Sequence, residues 1–273
     1  MDKTHSPKIL GVDLECPACK KMQKAAGHVP VGRVIEKLDS LLAKNDLSGA
    51  ERLIEYWTAE AIVLGDKSGE LSLTNEMLGL SRRLGNKDKA RAAVDRALAL
   101  IELTGMGKSV SGATILLNAA TTEKAFGAPE RAVPLYEKTA EIYKAEKLDE
   151  KDSKYAALYN NYATTLVDLK RFHEAEALYQ RALALTREAK NLLDHAVTCV
   201  NMAHLYEAWE GIESERISEC LAHAAHILLE ECTDRGSYFV FVAEKCAPAF
   251  DYFGHFFVAK TLRDLSREIY ERS

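Results

Sequence analysis

Two cysteines near the start of the chain have the spacing of a thiol pair that can bind metal or act as a redox centre. Cys16 and Cys19 form a C-x-x-C turn, which supplies two of the four ligands that a structural zinc ion needs. No second C-x-x-C occurs, so His5 and His28 are the nearest further ligands. A redox site would need a surrounding βαβ unit, which the sequence does not predict. Cys16 and Cys19 are therefore weak metal candidates, beside the interpretation that both thiols are incidental.

A second group of possible ligands lies in a predicted helix near residue 220. Cys220, His223 and His226 occupy positions i, i+3 and i+6, so the first and last side chains point about 120° apart. A helical two-histidine site normally uses i and i+4 with a carboxylate nearby. We interpret these three residues as partly exposed structural side chains, with a metal site as the alternative.

Signals for catalysis and nucleotide binding are weak. Residues 105–109 read Gly-Met-Gly-Lys-Ser, but a phosphate loop needs a glycine where Glu102 stands, and a strand before it. Paired carboxylates such as Glu230 and Glu231 lie among the surface charges of predicted helices, whereas acid–base catalysis needs a desolvated cleft. The sequence therefore predicts neither an enzyme nor a bound cofactor.

The composition favours helices and argues against several classes of partner. Only 15 Gly and 6 Pro occur in 273 residues, too few for the frequent turns of an all-β domain. The net charge is −5 and no basic block is present, which argues against nucleic acid and anionic membranes as partners. The longest uncharged stretch, residues 109–122, is too short to span a bilayer. The first residues contain no apolar signal segment, so we expect a cytoplasmic protein.

Small or apolar residues recur at a nearly constant period along the chain. The positions are Ala50, Ala90, Ala132, Ala175, Ile217 and Ala259. The steps between them are 40, 42, 43, 42 and 42 residues. A small residue in the second helix of a hairpin lets the first helix approach closely, and each hairpin buries its face against its neighbours. The period therefore predicts six antiparallel helical hairpins and about twelve helices.

The most specific part of the pattern spans residues 155–185. Its matching positions are Tyr159, Tyr162, Ala163, Leu166, Ala175, Tyr179 and Ala182. These fall on the consensus of the tetratricopeptide repeat, and the chain resembles that family. The phrases ALYNNYA, EAEALYQRAL and ERAVPLYEK, with steps near 42 instead of about 34, are similar to the kinesin-light-chain type of repeat. The resemblance implies an all-α, right-handed solenoid of about six hairpins, whose first helices line a concave groove.

Domain boundaries follow from the same pattern. Residues 1–29 contain Pro7, Pro17 and Gly27 and do not fit the repeat. We expect an irregular segment with the C-x-x-C turn over residues 1–29, and the helical repeat domain over residues 30–273.

Asparagines recur at one register of the predicted first helices. Asn118, Asn161 and Asn201 each lie two residues before a small residue, Asn75 is approximately equivalent, and Lys245 takes this place in the last unit. Asparagine is a mediocre helix former, so its recurrence needs a reason. One interpretation is that each carboxamide bonds the neighbouring helix and fixes the packing. The other is that the carboxamides face the groove and bind the backbone of an extended peptide, as equivalent asparagines commonly do in the family that the chain resembles.

Further groove candidates follow from helical spacing. Thr121, Thr164 and His204 lie three residues after the three central asparagines, one helical turn away, and we expect them to line the same surface. Asn160 and Lys124 are additional candidates.

Aromatic residues concentrate near the C-terminal end. Six of the eight phenylalanines lie between Phe239 and Phe257. They form either a core of large residues in the last hairpin or a self-association surface.

The sequence thus predicts an adaptor or scaffold that binds a protein or an extended peptide segment. A self-associating structural scaffold, such as a homodimer, is one alternative. A peptide-sensing regulator without its own DNA-binding domain is another.

Overall fold

The computed structural model describes residues 8–9, 12–13, 27–233 and 235–272, with side chains over 27–233 and 235–271. Near the start, β1 (Lys8–Ile9) pairs antiparallel with β2 (Val12–Asp13). The regular structure of the other described residues is helical. The chain divides into two compact units, Met1–Glu146 and Lys147–Ser273.

The first unit contains three helical hairpins. Its helices are α1 (Val31–Ala43), α2 (Leu47–Leu64), α3 (Lys67–Leu84), α4 (Lys87–Leu103), α5 (Val110–Ala125) and α6 (Pro129–Ala145). Odd-numbered helices are the first of each hairpin and even-numbered helices the second. A short 3₁₀ turn, Met106–Lys108, precedes α5. The glycine-rich segment at residues 105–109 therefore connects the second hairpin to the third.

The second unit repeats this arrangement. Its helices are α7 (Ser153–Asp168), α8 (Phe172–Glu188), α9 (Leu192–Glu210), α10 (Glu215–His226), α11 (Ser237–Tyr252) and α12 (Phe256–Arg272). A π-helical turn, Ile227–Glu231, continues α10. The described residues thus form twelve α-helices in six hairpins, and the predicted all-α repeat fold is confirmed.

Short polar side chains cap the start of six described helices, and residues in the left-handed conformation end many of them. Asp66 and Asn86 each accept a hydrogen bond from the backbone N–H three residues on, which satisfies a donor that the first helical turn leaves unpaired. Gly85 ends α3 with φ of 66°, a conformation that glycine adopts without steric cost. Lys170 takes the same role between α7 and α8 with φ of 59°. These caps explain why such short connections reverse the chain.

The ladder of small residues lies where the sequence predicts it. All six positions fall in the second helices, and none is more than 4% exposed. Tyr136 and Tyr179, each four residues after an alanine of the ladder, are also buried. The small side chain of the alanine lets the first helix pack closely, and the large side chain of the tyrosine fills the space beside it.

The C-terminal aromatics divide between core and surface. Phe239 and Phe250 are fully buried in the core of the second unit. Phe256 and Phe257 are 68% and 80% exposed. Residues 238–242 belong to α11. Some of these aromatic residues therefore belong to the core of the last hairpin, and others are exposed on its surface.

No helix in the described ranges has both the length and the apolar character required to cross a bilayer.

The ladder makes a prediction about stability. Ala175 is fully buried in α8, whereas Ala184 on the same helix is exposed. We expect Ala175→Leu to lower the free energy of unfolding by about 1–3 kcal/mol, because the larger side chain forces the two helices apart. The measurement is urea unfolding followed by far-ultraviolet circular dichroism. Ala184→Leu is the control and should change stability by less than about 0.5 kcal/mol; equal effects would contradict the close-packing role.

Candidate binding surface on the first helices

Every candidate position of the predicted groove lies on a first helix. Asn75 lies on α3, Asn118 and Thr121 on α5, Asn161 and Thr164 on α7, Asn201 and His204 on α9, and Lys245 on α11. Lys245 is exposed, and the other seven side chains are half-buried. We call these residues, with Asn160, the first-helix surface. Helices α3 and α5 carry its part in the first unit, and α7, α9 and α11 carry its part in the second.

In the first unit, two of the asparagines bond each other across neighbouring hairpins. The Asn118 Nδ2 donates to Asn75 Oδ1 at 2.8 Å, which joins α5 to α3. The Asn75 Nδ2 donates to Glu76 Oε1 at 3.2 Å. Burial raises the pKa of Glu76 despite this hydrogen bond, with a smaller contribution from the charge of Asp39. The carboxamides therefore bond the neighbouring helix while remaining partly accessible.

A half-buried arginine lies beside this carboxamide pair. Arg82, two helical turns after Asn75 on α3, donates from Nη1 to Thr122 Oγ1 at 2.7 Å and to the Asn118 carbonyl at 3.3 Å. Burial lowers its pKa, but a guanidinium stays charged at any physiological pH. Arg82 forms no ion pair with any described residue. The sequence analysis missed Arg82, although its spacing of seven from Asn75 places both on one helix face.

In the second unit the cross-hairpin bond uses a different asparagine from the one that the register predicts. The Asn201 Nδ2 donates to Asn160 Oδ1 at 3.1 Å, which joins α9 to α7. The Asn161 Nδ2 instead donates to the Ala157 carbonyl of its own helix at 2.9 Å. Consecutive residues point about 100° apart on a helix, so only one of the two asparagines faces α9.

The two threonines tie the helices within a hairpin. Thr164 Oγ1 lies 3.0 Å from Tyr179 Oη, and Thr121 Oγ1 lies 3.3 Å from Tyr136 Oη. Each threonine hydroxyl also donates to the carbonyl four residues earlier, so the tyrosine hydroxyl is the donor to the threonine. Burial raises the pKa of Tyr179, which keeps that phenol protonated. Both threonines therefore serve hairpin closure as well as bordering the first-helix surface.

His204 lies in a cluster of polar and aromatic side chains in the second unit. Its Nδ1 is 3.4 Å from Glu207 Oε2, and its ring centroid is 4.9 Å from that of Phe253 and 5.9 Å from that of Tyr252. The Tyr252 hydroxyl donates to the second carboxylate oxygen of Glu207. This cluster joins α9 to the end of α11 and offers stacking faces beside a carboxylate.

The predicted metal and thiol candidates have different outcomes. Cys16 and Cys19 lie outside the described residues. Cys220, His223 and His226 do not converge: both ring nitrogens of His226 contact the carboxylates of Glu230 and Glu231, at 3.0 and 3.2 Å. The structure instead brings His223 to His195 and Cys199 on α9, a grouping that the sequence analysis missed.

Three described thiols of the second unit are poor nucleophiles. Burial raises the pKa of Cys199 and of Cys246 to about 12, and that of Cys220 to about 11. At neutral pH these cysteines are therefore protonated, whereas a nucleophilic cysteine needs its thiolate.

Stacked helical hairpins with a buried small residue at a constant period define a helical-repeat protein. Residues 71–145 and 156–199 match two family models of the tetratricopeptide repeat. These two segments are therefore tetratricopeptide repeats, and the fold that contains them is of the kinesin-light-chain type.

Two solved structures share this fold. One is a putative kinesin light chain from Podosopora anserina with nearly identical TPR-like repeats, which is 18% identical, with a TM-score of 0.50, and is matched over 72% of this chain and 92% of that chain. A single-residue variant of it gives 18% identity and a TM-score of 0.51, over 73% and 95%. BtubC (BKLC) from P. vanneervenii is 20% identical over 89% of this chain and 91% of that chain, with a TM-score of 0.48. At these identities the likeness concerns the fold alone. The search of curated proteins finds no match.

Adjacent asparagines on α7 allow a sharp test of the cross-hairpin bond. We expect Asn160→Ala and Asn201→Ala to be coupled by about 0.5–1.5 kcal/mol in a double-mutant cycle, because each single change breaks the same hydrogen bond. Urea unfolding of the four variants measures the coupling. The matched cycle with Asn161→Ala should give a value near zero, since Asn161 bonds only its own helix. Equal coupling in both cycles would show that the pairing is misassigned.

Proposed function

We propose that the chain is a cytoplasmic adaptor or scaffold that binds an extended segment of another protein along the first-helix surface. Tetratricopeptide repeats are generally protein-interaction modules. Binding of this kind places the backbone of the bound segment against polar side chains, while neighbouring pockets select its side chains.

The observation that carries this proposal is the recurrence of cross-hairpin carboxamide pairs. Asn118 with Asn75, and Asn201 with Asn160, each use one N–H and one carbonyl lone pair for the mutual bond. A carboxamide has two N–H donors and two acceptor lone pairs, so each pair retains hydrogen-bonding capacity at a half-buried site. Extended backbone presents N–H and C=O groups that match this capacity. The asparagines can therefore both fix the packing of neighbouring hairpins and bind a peptide backbone. The mutual hydrogen bond orients carboxamides that keep unused donors and acceptors.

Arg82 supports a preference for acidic segments at the part of the surface in the first unit. Its guanidinium is half-buried beside Asn118 and bonds only neutral oxygens. A charge-assisted hydrogen bond to a carboxylate is about twice as strong as a neutral one. We infer that an acidic side chain of the bound segment lies next to Arg82.

Peptide selection on the purified full chain tests the proposal. Peptides from a random library that bind the chain should bind Asn118→Asp and Asn201→Asp about 2- to 10-fold more weakly, because each change removes N–H donors worth about 0.5–1.5 kcal/mol. Dissociation constants are measured by fluorescence anisotropy, and circular dichroism confirms that the variants are folded.

Gln180→Glu is the matched control, because it makes the same amide-to-carboxylate change on α8, at an exposed position of a second helix. Its affinity should equal that of the parent chain. Selected peptides whose affinity is unchanged in both asparagine variants would show that the first-helix surface is not the binding site.

A second candidate function is self-association through the last hairpin. Phe256 and Phe257 on α12 are among the most exposed large apolar side chains of the described residues, and Phe241 on α11 is 57% exposed. Phe241 also stacks on Tyr238, with ring centroids 6.0 Å apart. Phe256 and Phe257 are adjacent in the chain, and adjacent exposed aromatic side chains form a surface of the kind found at interaction sites.

Light scattering tests this second candidate. If the last hairpin mediates a homodimer, the parent chain should have twice the monomer mass and Phe256→Glu should be monomeric, because a buried unpaired carboxylate is strongly unfavourable. Lys260→Glu, an exposed change on the same helix, should retain the dimer. A parent chain that is monomeric at all concentrations would exclude self-association.

A further inference from the structure

Three side chains with nitrogen and sulfur donors converge between α9 and α10. His195 and Cys199 are four residues apart on α9 and therefore share one helix face, and His223 reaches them from α10. One ligand atom from each residue lies within 4.8 Å of the other two. His195 and Cys199 are 5% and 3% exposed, whereas His223 is exposed to solvent. The cluster is thus closed on its inner side and open at His223.

A buried threonine sets the orientation of His195. Thr186 Oγ1 lies 3.0 and 3.1 Å from the carbonyls of Ala182 and Leu183, and 2.9 Å from His195 Nδ1. The hydroxyl has one proton, which the carbonyls of its own helix accept. Thr186 therefore accepts from the His195 Nδ1–H, which places the free lone pair of the imidazole on Nε2. A hydrogen bond from the second ring nitrogen to a fixed acceptor is the arrangement that supports metal-ligating histidines.

We propose that His195, Cys199 and His223 bind a divalent transition-metal ion of the zinc class. Two imidazoles and one thiolate form a donor set that zinc prefers, whereas magnesium and calcium prefer oxygen ligands. On binding, the Cys199 thiol releases its proton to solvent and its sulfur bonds the metal. The fourth position is open to water.

The rearrangement that metal binding requires is small. Tetrahedral zinc with Zn–N and Zn–S bonds of about 2.0–2.3 Å places ligand atoms about 3.3–3.6 Å apart. The separations of up to 4.8 Å must therefore close by about 1 Å, a change that rotations about side-chain bonds can supply. The bound ion would hold α9 against α10 in the hairpin that also carries Asn201 and His204. This site is independent of the peptide-binding proposal, because it uses none of the residues of the first-helix surface.

Cobalt(II) is a suitable probe, because thiolate coordination to it produces a charge-transfer absorption band. The full chain is prepared with Cys16→Ser and Cys19→Ser, so that the C-x-x-C thiols do not contribute, and is freed of metal with a chelator. We expect one equivalent of cobalt to bind with a thiolate band, and one equivalent of zinc to displace it.

Variants assign the ligands. His223→Ala should bind at least about 10-fold more weakly, and its exposed position keeps the fold intact, which circular dichroism verifies. Cys199→Ser should lose the charge-transfer band. His226→Ala is the matched control on α10, since His226 contacts only Glu230 and Glu231 among the charged groups of the described residues, and it should bind as the parent does.

Three outcomes would overturn the proposal. They are the absence of a thiolate band at stoichiometric cobalt, a band that persists in Cys199→Ser, and equal affinities of His223→Ala and the parent chain.

Discussion

The fold depends on one buried ladder residue in the second helix of each hairpin, which is an alanine in five hairpins and Ile217 in the other. Ala132 and Ala175 are fully buried, so the first helix packs against backbone that a larger side chain would cover. Because the ladder recurs about every 42 residues, corresponding positions of α3 and α5 meet in the first unit, and those of α7 and α9 meet in the second. The bonded asparagine pairs exist only because those positions meet. A repeat in which the ladder residue were displaced would separate the carboxamides even if both were present.

The helices are joined by two kinds of polar contact, one within a hairpin and one between neighbouring hairpins. Thr164 with Tyr179 closes a single hairpin, whereas Asn201 with Asn160 joins one hairpin to the next. The first kind joins a half-buried threonine to a buried tyrosine and uses both hydroxyl donors. The second kind joins two half-buried carboxamides and leaves part of their hydrogen-bonding capacity unused. A protein segment bound at the asparagines would therefore contact the joints between repeats. Its binding free energy would depend on how neighbouring hairpins are stacked.

The fold was predictable from the sequence because close packing of two helices requires a small residue at a fixed position of each repeat, and such a periodic pattern is visible in the sequence. The ladder from Ala50 to Ala259 gave six hairpins, and the structure has a hairpin at each position. Features that depend on helix rotation were less predictable: the choice between Asn160 and Asn161 turns on about 100° of helical phase. The sequence favoured structural roles for Cys220, His223 and His226, but it did not predict which residues His223 would meet. Its actual neighbours, His195 and Cys199, lie on the preceding helix, and the connection between the helices sets which faces meet.

Each unit of the chain encloses its own core. Buried residues such as Leu38, Ile54 and Leu73 form one cluster in the first unit, and the cluster around Tyr206 and Phe250 lies in the second. In helical repeats, stability is the sum of contributions from single repeats and from their immediate neighbours. Unfolding can therefore proceed in steps, with a half-folded species populated between the native and fully unfolded chain. A ligand held at Asn75 and Asn118 would protect one half of the chain from proteases and hydrogen exchange, and a ligand at Asn160 and Asn201 would protect the other.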